Sequence, residues 1–472
     1  MKKAKFLSLF IVMIMLVVAV VPASAQDLGD DDSSAFMVQN TAGVQVTVTI
    51  QFVNSTGAIT QPTCLDGSNP CTFPNPFTLA IAASREIAVG SVPLAQLPAG
   101  KYSVIISSTG QVVAVATVSS AGTNQFTGGY TSFATGASTM YLSTVNFNWT
   151  ATPWYSMVTV MNLGDVAIPT VTFTIKCANS GFVGVTGTLT KTNLAAKASH
   201  TFVLKNTTPT GFTGATSCQG GGTLVSSNGQ PLAVVNNNNQ PSFGKTNTFE
   251  GVITGSSKVF LPQINSMFTQ WISAINILKQ GAGNTTVTVD WGDGTEPSDT
   301  CSLTDAAPSC QMIAHSVRSQ GVRTSAVVTS SNGMTLLVSV GSSRTLPGPG
   351  YSGGYNGLSS GTNAVALPLI MRNYLGWFQA INCMNVSPTT TDINIAYEGK
   401  TPYDAGVSLV EGASVQIVTT SDTHLNDGYL GSAIITAKNA SAQIACMVGS
   451  SNPTQAAALT GDWTEQYISL PK

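Results

Sequence analysis

Charge is what this chain has least of. Lys, Arg, Asp and Glu together make up 8% of its 472 residues, against about 25% in an ordinary soluble domain. Helix surfaces are normally solvated by Lys and Glu, so a chiefly helical protein is excluded. The formal net charge of -2 provides no basic face, and nucleic acid is not an expected partner because counterion release would have nothing to act on. Histidine is scarce too, with three residues far apart in sequence, His200, His315 and His424. No two cysteines have C-x-x-C spacing, which argues against structural zinc. In place of charge stand 45 glycines with abundant Ser, Thr and Asn, the residues of turns.

The N-terminus carries an address. Lys2, Lys3 and Lys5 precede an apolar run from Phe6 to Val21, and Ala23-Ser24-Ala25 follows helix-breaking Pro22. This is the pattern of a secretory signal peptide cut after Ala25, and the run is short for a bilayer core, which needs about 20 apolar residues. Residues 1–25 are therefore read as leader, with no membrane span after cleavage and a secreted or cell-surface destination. In that oxidising space the eight cysteines are read as disulfides. A repeat places two in each of four units, so pairing within units predicts Cys64 with Cys71, Cys177 with Cys218, Cys301 with Cys310 and Cys383 with Cys446.

The repeat itself is a run of short strands. Trp154–Asn162, Trp271–Lys279 and Trp377–Asn385 are each dominated by apolar residues and end in a polar turn. A strand alternating with period two follows each: 171–175, 287–291 and 393–397. A weaker copy opens the mature chain at Ser34–Asn40 and Val46–Phe52. Late apolar strands recur at Val112–Ala116, Pro231–Val235, Leu336–Val340 and Ala442–Cys446. The fold class is thus all-β, with four tandem immunoglobulin-like β-sandwich units of roughly 110 residues each. Segments of linker composition, Asn236–Pro241 and Leu346–Gly354, set the boundaries at 26–122, 123–243, 244–348 and 349–472.

In the third unit, 287–295 (Val-Thr-Val-Asp-Trp-Gly-Asp-Gly-Thr), 314–323 and 326–329 carry a W-G-D-G turn followed by His315 and Gly321. This resembles a PKD-type domain, with Val317 and Arg323 where that family usually shows Tyr. The resemblance implies a seven-stranded sandwich of the kind found in extracellular binding and stalk proteins. It fixes no function.

Candidate chemistry is thin. Asp290, Asp293 and Glu296 beside a Gly turn form a weak calcium site in prospect, although D-G is also a hairpin signal. Gly357-Leu-Ser359-Ser-Gly361 fits G-x-S-x-G, but no helical period follows, and a triad would need His424 and a carboxylate from elsewhere. No enzyme is expected. Trp154, Trp271 and Trp377 are read as core, with sugar stacking as the alternative. Sequons stand at Asn54, Asn148, Asn206, Asn284, Asn385 and Asn439.

The expected function is a structural protein that self-assembles as a rod, filament or surface lattice, since a neutral exterior lacks like-charge repulsion and strand edges are weakly guarded. An adhesin or glycan-binding array is the alternative. A tail segment with Trp463, Tyr467, Ile468 and Leu470 reads as a further opening strand, one that unit 1 lacks. This makes Trp463–Pro471 a candidate for strand exchange between copies, the simpler alternative being that the strand closes unit 4 and nothing is exchanged.

Overall fold

A computed structural model describes residues 16–19, 32–120, 127–178, 181–205, 207–212, 214, 216–292, 294, 296–345, 351–453 and 464–472. It is nearly all β, in several antiparallel sheets. One pairing order recurs four times along the chain. In the second copy, the opening strand Thr139–Phe147 pairs with Cys218–Ser226, which pairs with Ile168–Cys177 and then Thr186–Leu194. Facing it, Tyr155–Asn162 lies between Ser199–Val203 and Leu232–Gln240, and the closing strand Lys245–Glu250 takes the edge. Alternation decides which side chains go inside: Val171, Phe173 and Ile175 point into the same apolar cluster as Val158 and Val160, all fully buried.

The turn after each second strand is tied from within. Asn162 is fully buried and its Nδ2 donates to the carbonyls of Val166 at 2.8 Å and Ala195 at 3.0 Å. Asn40 does the same to Val44 and Ala80, and Asn385 to Thr389 and Leu409. In the third copy Lys279 replaces the amide, with Nζ on the Gly281 carbonyl at 2.9 Å and the Asp305 carboxylate at 2.6 Å. Asn385, a sequon residue, is thus sealed in the core.

Strand pairing corrects three expectations. Asn236–Asn239 is no linker; these residues are buried inside Leu232–Gln240, with Asn236 Nδ2 donating to the Thr144 carbonyl at 2.8 Å. Four consecutive Asn read as loop because Asn favours turns, whereas here cross-strand hydrogen bonds engage each side chain, Asn236 through its Nδ2, Asn237 and Asn239 with Thr248 and Thr246, and Asn238 with Ser156. Second, the strands Thr127–Thr131, Lys245–Glu250 and Ser352–Asn356, which the expected boundaries place in the following unit, pair backward and close the preceding set. Third, the tail is a fourth closing strand. Thr464–Ile468 pairs with Ile444–Ser451, and Leu470 pairs with Ala366 of its own set. Tyr467 matches Tyr130, Phe249 and Tyr355, one buried aromatic per closing strand.

The four closing strands meet. The first packs on the second, the second on the third, the third on the fourth, and the fourth on the first, so the four sets form a closed ring around them rather than an extended rod. Small residues allow the approach: a Cβ on Gly128 would stand 2.3 Å from Thr248 Oγ1, and one on Gly354 2.6 Å from the Phe249 ring. The seams between sets are also bonded. Lys176 Nζ donates to the Asp305 carbonyl at 2.6 Å, Ser325 Oγ to the Gly412 carbonyl at 2.5 Å, and the Ser84 amide to Glu398 at 3.1 Å. Phe260, Val327, Met384, Val386 and Ala445 form an apolar cluster between the third and fourth sets.

The opening position of the first set is taken by Leu16–Ala19, inside the expected leader, paired with Tyr102–Ser108.

Candidate functional site

The disulfides are Cys64–Cys71, Cys177–Cys218, Cys301–Cys310 and Cys383–Cys446. Cys383 and Cys446 are directly opposed on neighbouring strands. Cys301 and Cys310 join two strands of the third set, Asp299–Leu303 and Ser309–Ile313, that pair with different partners.

Of the calcium candidates, Asp293 lies outside the described residues. Asp290 accepts from Ser298 Oγ, and Glu296 accepts from the Ser319 amide at 3.0 Å, so each serves as a local loop brace. Among the described residues, the grouping with metal-ligand geometry is Cys64, Asp66 and Cys71, and its two sulfurs are bonded to each other.

The tryptophan expectation is corrected. Trp154, Trp271 and Trp377 begin their strands at the rim, where they are half-buried. Among the described residues the tryptophan in the core is Trp291, 5% exposed, with Nε1 donating to Asp299 at 3.0 Å and the Arg318 guanidinium 4.9 Å from its ring centroid. Trp291→Ala is expected to cost about 3–5 kcal/mol, and Trp271→Ala markedly less, because an emptied rim site refills with water. Denaturant melts of the two variants check the order.

Two polar clusters emerge that sequence reasoning did not find. In the fourth set Asp422, 8% exposed, accepts from Tyr397 OH at 2.8 Å, from Tyr403 OH, from the His424 amide at 2.9 Å and from His424 Nδ1 at 2.8 Å. Burial alone would raise this carboxyl, yet the hydrogen bonds from Tyr403, the His424 backbone and Tyr397 hold it below the ordinary carboxylate range. The His424 ring stacks on Tyr403 with centroids 3.5 Å apart. An Asp oriented on a His is two-thirds of a hydrolytic triad, but Gly357–Gly361 lies before the N-terminal end of Ala364–Tyr374. The cluster sits by Arg372 near its other end, where Arg372 Nε meets Asp427 at 3.0 Å. An 11-residue strand spans roughly 35 Å, so Ser359 and His424 are held apart. The knot locks the loop after Ser414–Val418.

The second cluster is at the ring's centre. Glu250 of the second closing strand accepts from the Thr131 amide at 2.7 Å and Oγ1 at 3.1 Å on the first, and from Asn356 Nδ2 at 3.2 Å on the third. Glu465 of the fourth, 2% exposed, lies against Gly129 of the first. Burial raises both carboxyls, Glu465 to about 8, against the pull of a Ser450 hydrogen bond there and of Thr131 at Glu250. The recurring aromatic at 130, 249, 355 and 467 is the sequence signal that could have revealed this hub.

Comparison with protein-family models and with curated proteins finds no match. Among the described residues no helix is long and apolar enough to cross a membrane.

Proposed function

We propose that the chain is an exported structural protein, secreted or displayed at the cell surface, in which four immunoglobulin-like β-sandwich sets are locked into one block that assembles with copies of itself. Four disulfides and an all-β fold fit an extracellular setting, and the PKD-like turn of the third set fits the same class. One observation carries the assembly reading. Three sets own an opening strand, Thr139–Phe147, Lys258–Phe268 and Ala364–Tyr374, whereas the first borrows Leu16–Ala19 from the segment expected to be cut away at Ala25.

Removal of the leader would leave the edge of Tyr102–Ser108 unpaired beside Val104 and Ile106, both fully buried while the slot is filled. An unpaired edge over an apolar slot is a template for a strand from another chain. With 8% charged residues, little repulsion opposes the approach. The tail does not match this slot in type, because it is a closing strand already engaged in its own set.

The test is gel filtration and electron microscopy of purified residues 26–472. Concentration-dependent oligomers are expected, and a peptide copying residues 258–268, the third set's own opening strand, should cap the slot and shift them toward monomer. A mature protein that stays monomeric at high concentration, or oligomers indifferent to the peptide, would defeat the reading.

A further inference from the structure

The seam between the third and fourth sets encloses a groove of about 220 Å³. Phe268, Trp271 and Phe378 line it, all half-buried, so aromatic surface faces the space. Among its polar lining residues, Arg323, Gln416 and Gln263 are held in place by hydrogen bonds that run through Asn382 behind them. Arg323 donates to Gln416 Oε1, Gln416 Nε2 donates to Asn382 Oδ1 at 3.1 Å, and Asn382 Nδ2 donates to Gln263 Oε1 at 3.2 Å. The Arg323 guanidinium also lies 4.9 Å from the Phe268 ring centroid, so its charge is already engaged on both sides. Among the described residues no carboxylate lines the groove.

Two further lining groups are unexplained by the fold. Thr464, 2% exposed, and Gln466, 5% exposed, belong to the fourth closing strand, and Thr464 Oγ1 and Gln466 Oε1 are buried with no partner in the protein. A buried polar atom left unpaired lowers stability, and folded proteins rarely keep one without a use for it. Both residues line the groove, although the two oxygens themselves are covered.

We propose that this groove binds one pyranose ring of a neutral glycan. Aromatic faces suit the C–H face of a sugar, and fixed amides suit its hydroxyls at little entropic cost because they are already ordered. The volume lies below the roughly 300–1,000 Å³ of pockets that take drug-sized ligands, which fits a single ring. This inference stands apart from self-assembly: the slot on Tyr102–Ser108 belongs to the first set.

Saturation-transfer NMR and tryptophan fluorescence of the full chain, titrated with glucose, galactose, mannose and N-acetylglucosamine, test it. At least one sugar should bind in the millimolar range. Trp271→Ala and, independently, Gln416→Ala should each weaken it by about tenfold or more, while Trp154→Ala, at the matching rim position of the second set, should leave it unchanged. Circular dichroism melts confirm that the variants are folded, and Gln416→Ala serves if Trp271→Ala is not. Binding by none of the four sugars, or binding that survives both groove variants, overturns the proposal. So does a sugar-soaked crystal in which the groove beside Trp271 and Gln416 holds only water.

Discussion

Thermal stability should decline as pH rises from about 4.5 toward 8, the reverse of the usual acid sensitivity of proteins rich in paired carboxylates. The cause is Glu465. Its ordinary value is 4.5, and burial against the first closing strand raises it to about 8 in the folded protein. Between those values the folded state binds a proton that the unfolded state has released, so raising the pH favours unfolding. The stabilisation is fully present below about 4.5 and is lost as the pH passes through the folded value. Across the window the effect of this one carboxyl is on the order of a few kcal/mol. Glu250 is raised in the same direction, again by burial, and adds to the slope. Glu465→Gln should flatten most of the dependence while leaving the fold intact, because the amide retains the shape without the charge. Melting curves from pH 4 to pH 9 decide it. A parent protein that melts higher at pH 8 than at pH 5 would show that the hub carboxyl is solvated.

Replacing Cys383 and Cys446 together by Ser should be the costliest disulfide removal. The bond closes 63 residues, and the chain-entropy relation gives about 4 kcal/mol for a loop of that length. Cys177–Cys218, closing 41, follows closely, while Cys64–Cys71 and Cys301–Cys310 close 7 and 9 and should each cost about 2 kcal/mol. The position of Cys383 and Cys446 adds to the effect. Both are fully buried and oppose one another across two central strands, so the Ser pair also places two hydroxyls in an apolar core. Denaturant midpoints of the four double variants give the ranking. Equal losses for long and short loops would mean that native packing, and not chain entropy, governs these bonds.

Local chemistry was legible in the sequence because it acts over a few residues. Period-two alternation in 171–175, 287–291 and 393–397 names strands with one buried face, since side-chain direction along a strand depends on nothing distant. Scarce charge excluded helices for a similar reason: helix surfaces need solvation wherever they lie. Two cysteines per repeat pointed to the pairing, because each unit folds around its own chain and keeps its two thiols near each other, although the four bonds sit at four different places in the repeat.

What the tertiary structure alone decided is where each set ends and what the sets do to one another. Asn236–Asn239 and Gly353-Gly354 have turn composition, yet they are buried strand, because the groups that satisfy or crowd them, Thr144, Phe249 and Gln466, come from other strands far along the chain. A sequence read locally assigns such residues to solvent. Trp271 and Trp291 show the same limit: both are apolar and both mark strands, and only the packing shows that one sits at the rim and the other inside. The hub of Glu250 and Glu465 depends on four strands more than 330 residues apart from first to last meeting at one place. Ring closure is a property of contacts between sets, and nothing within a single repeat encodes it.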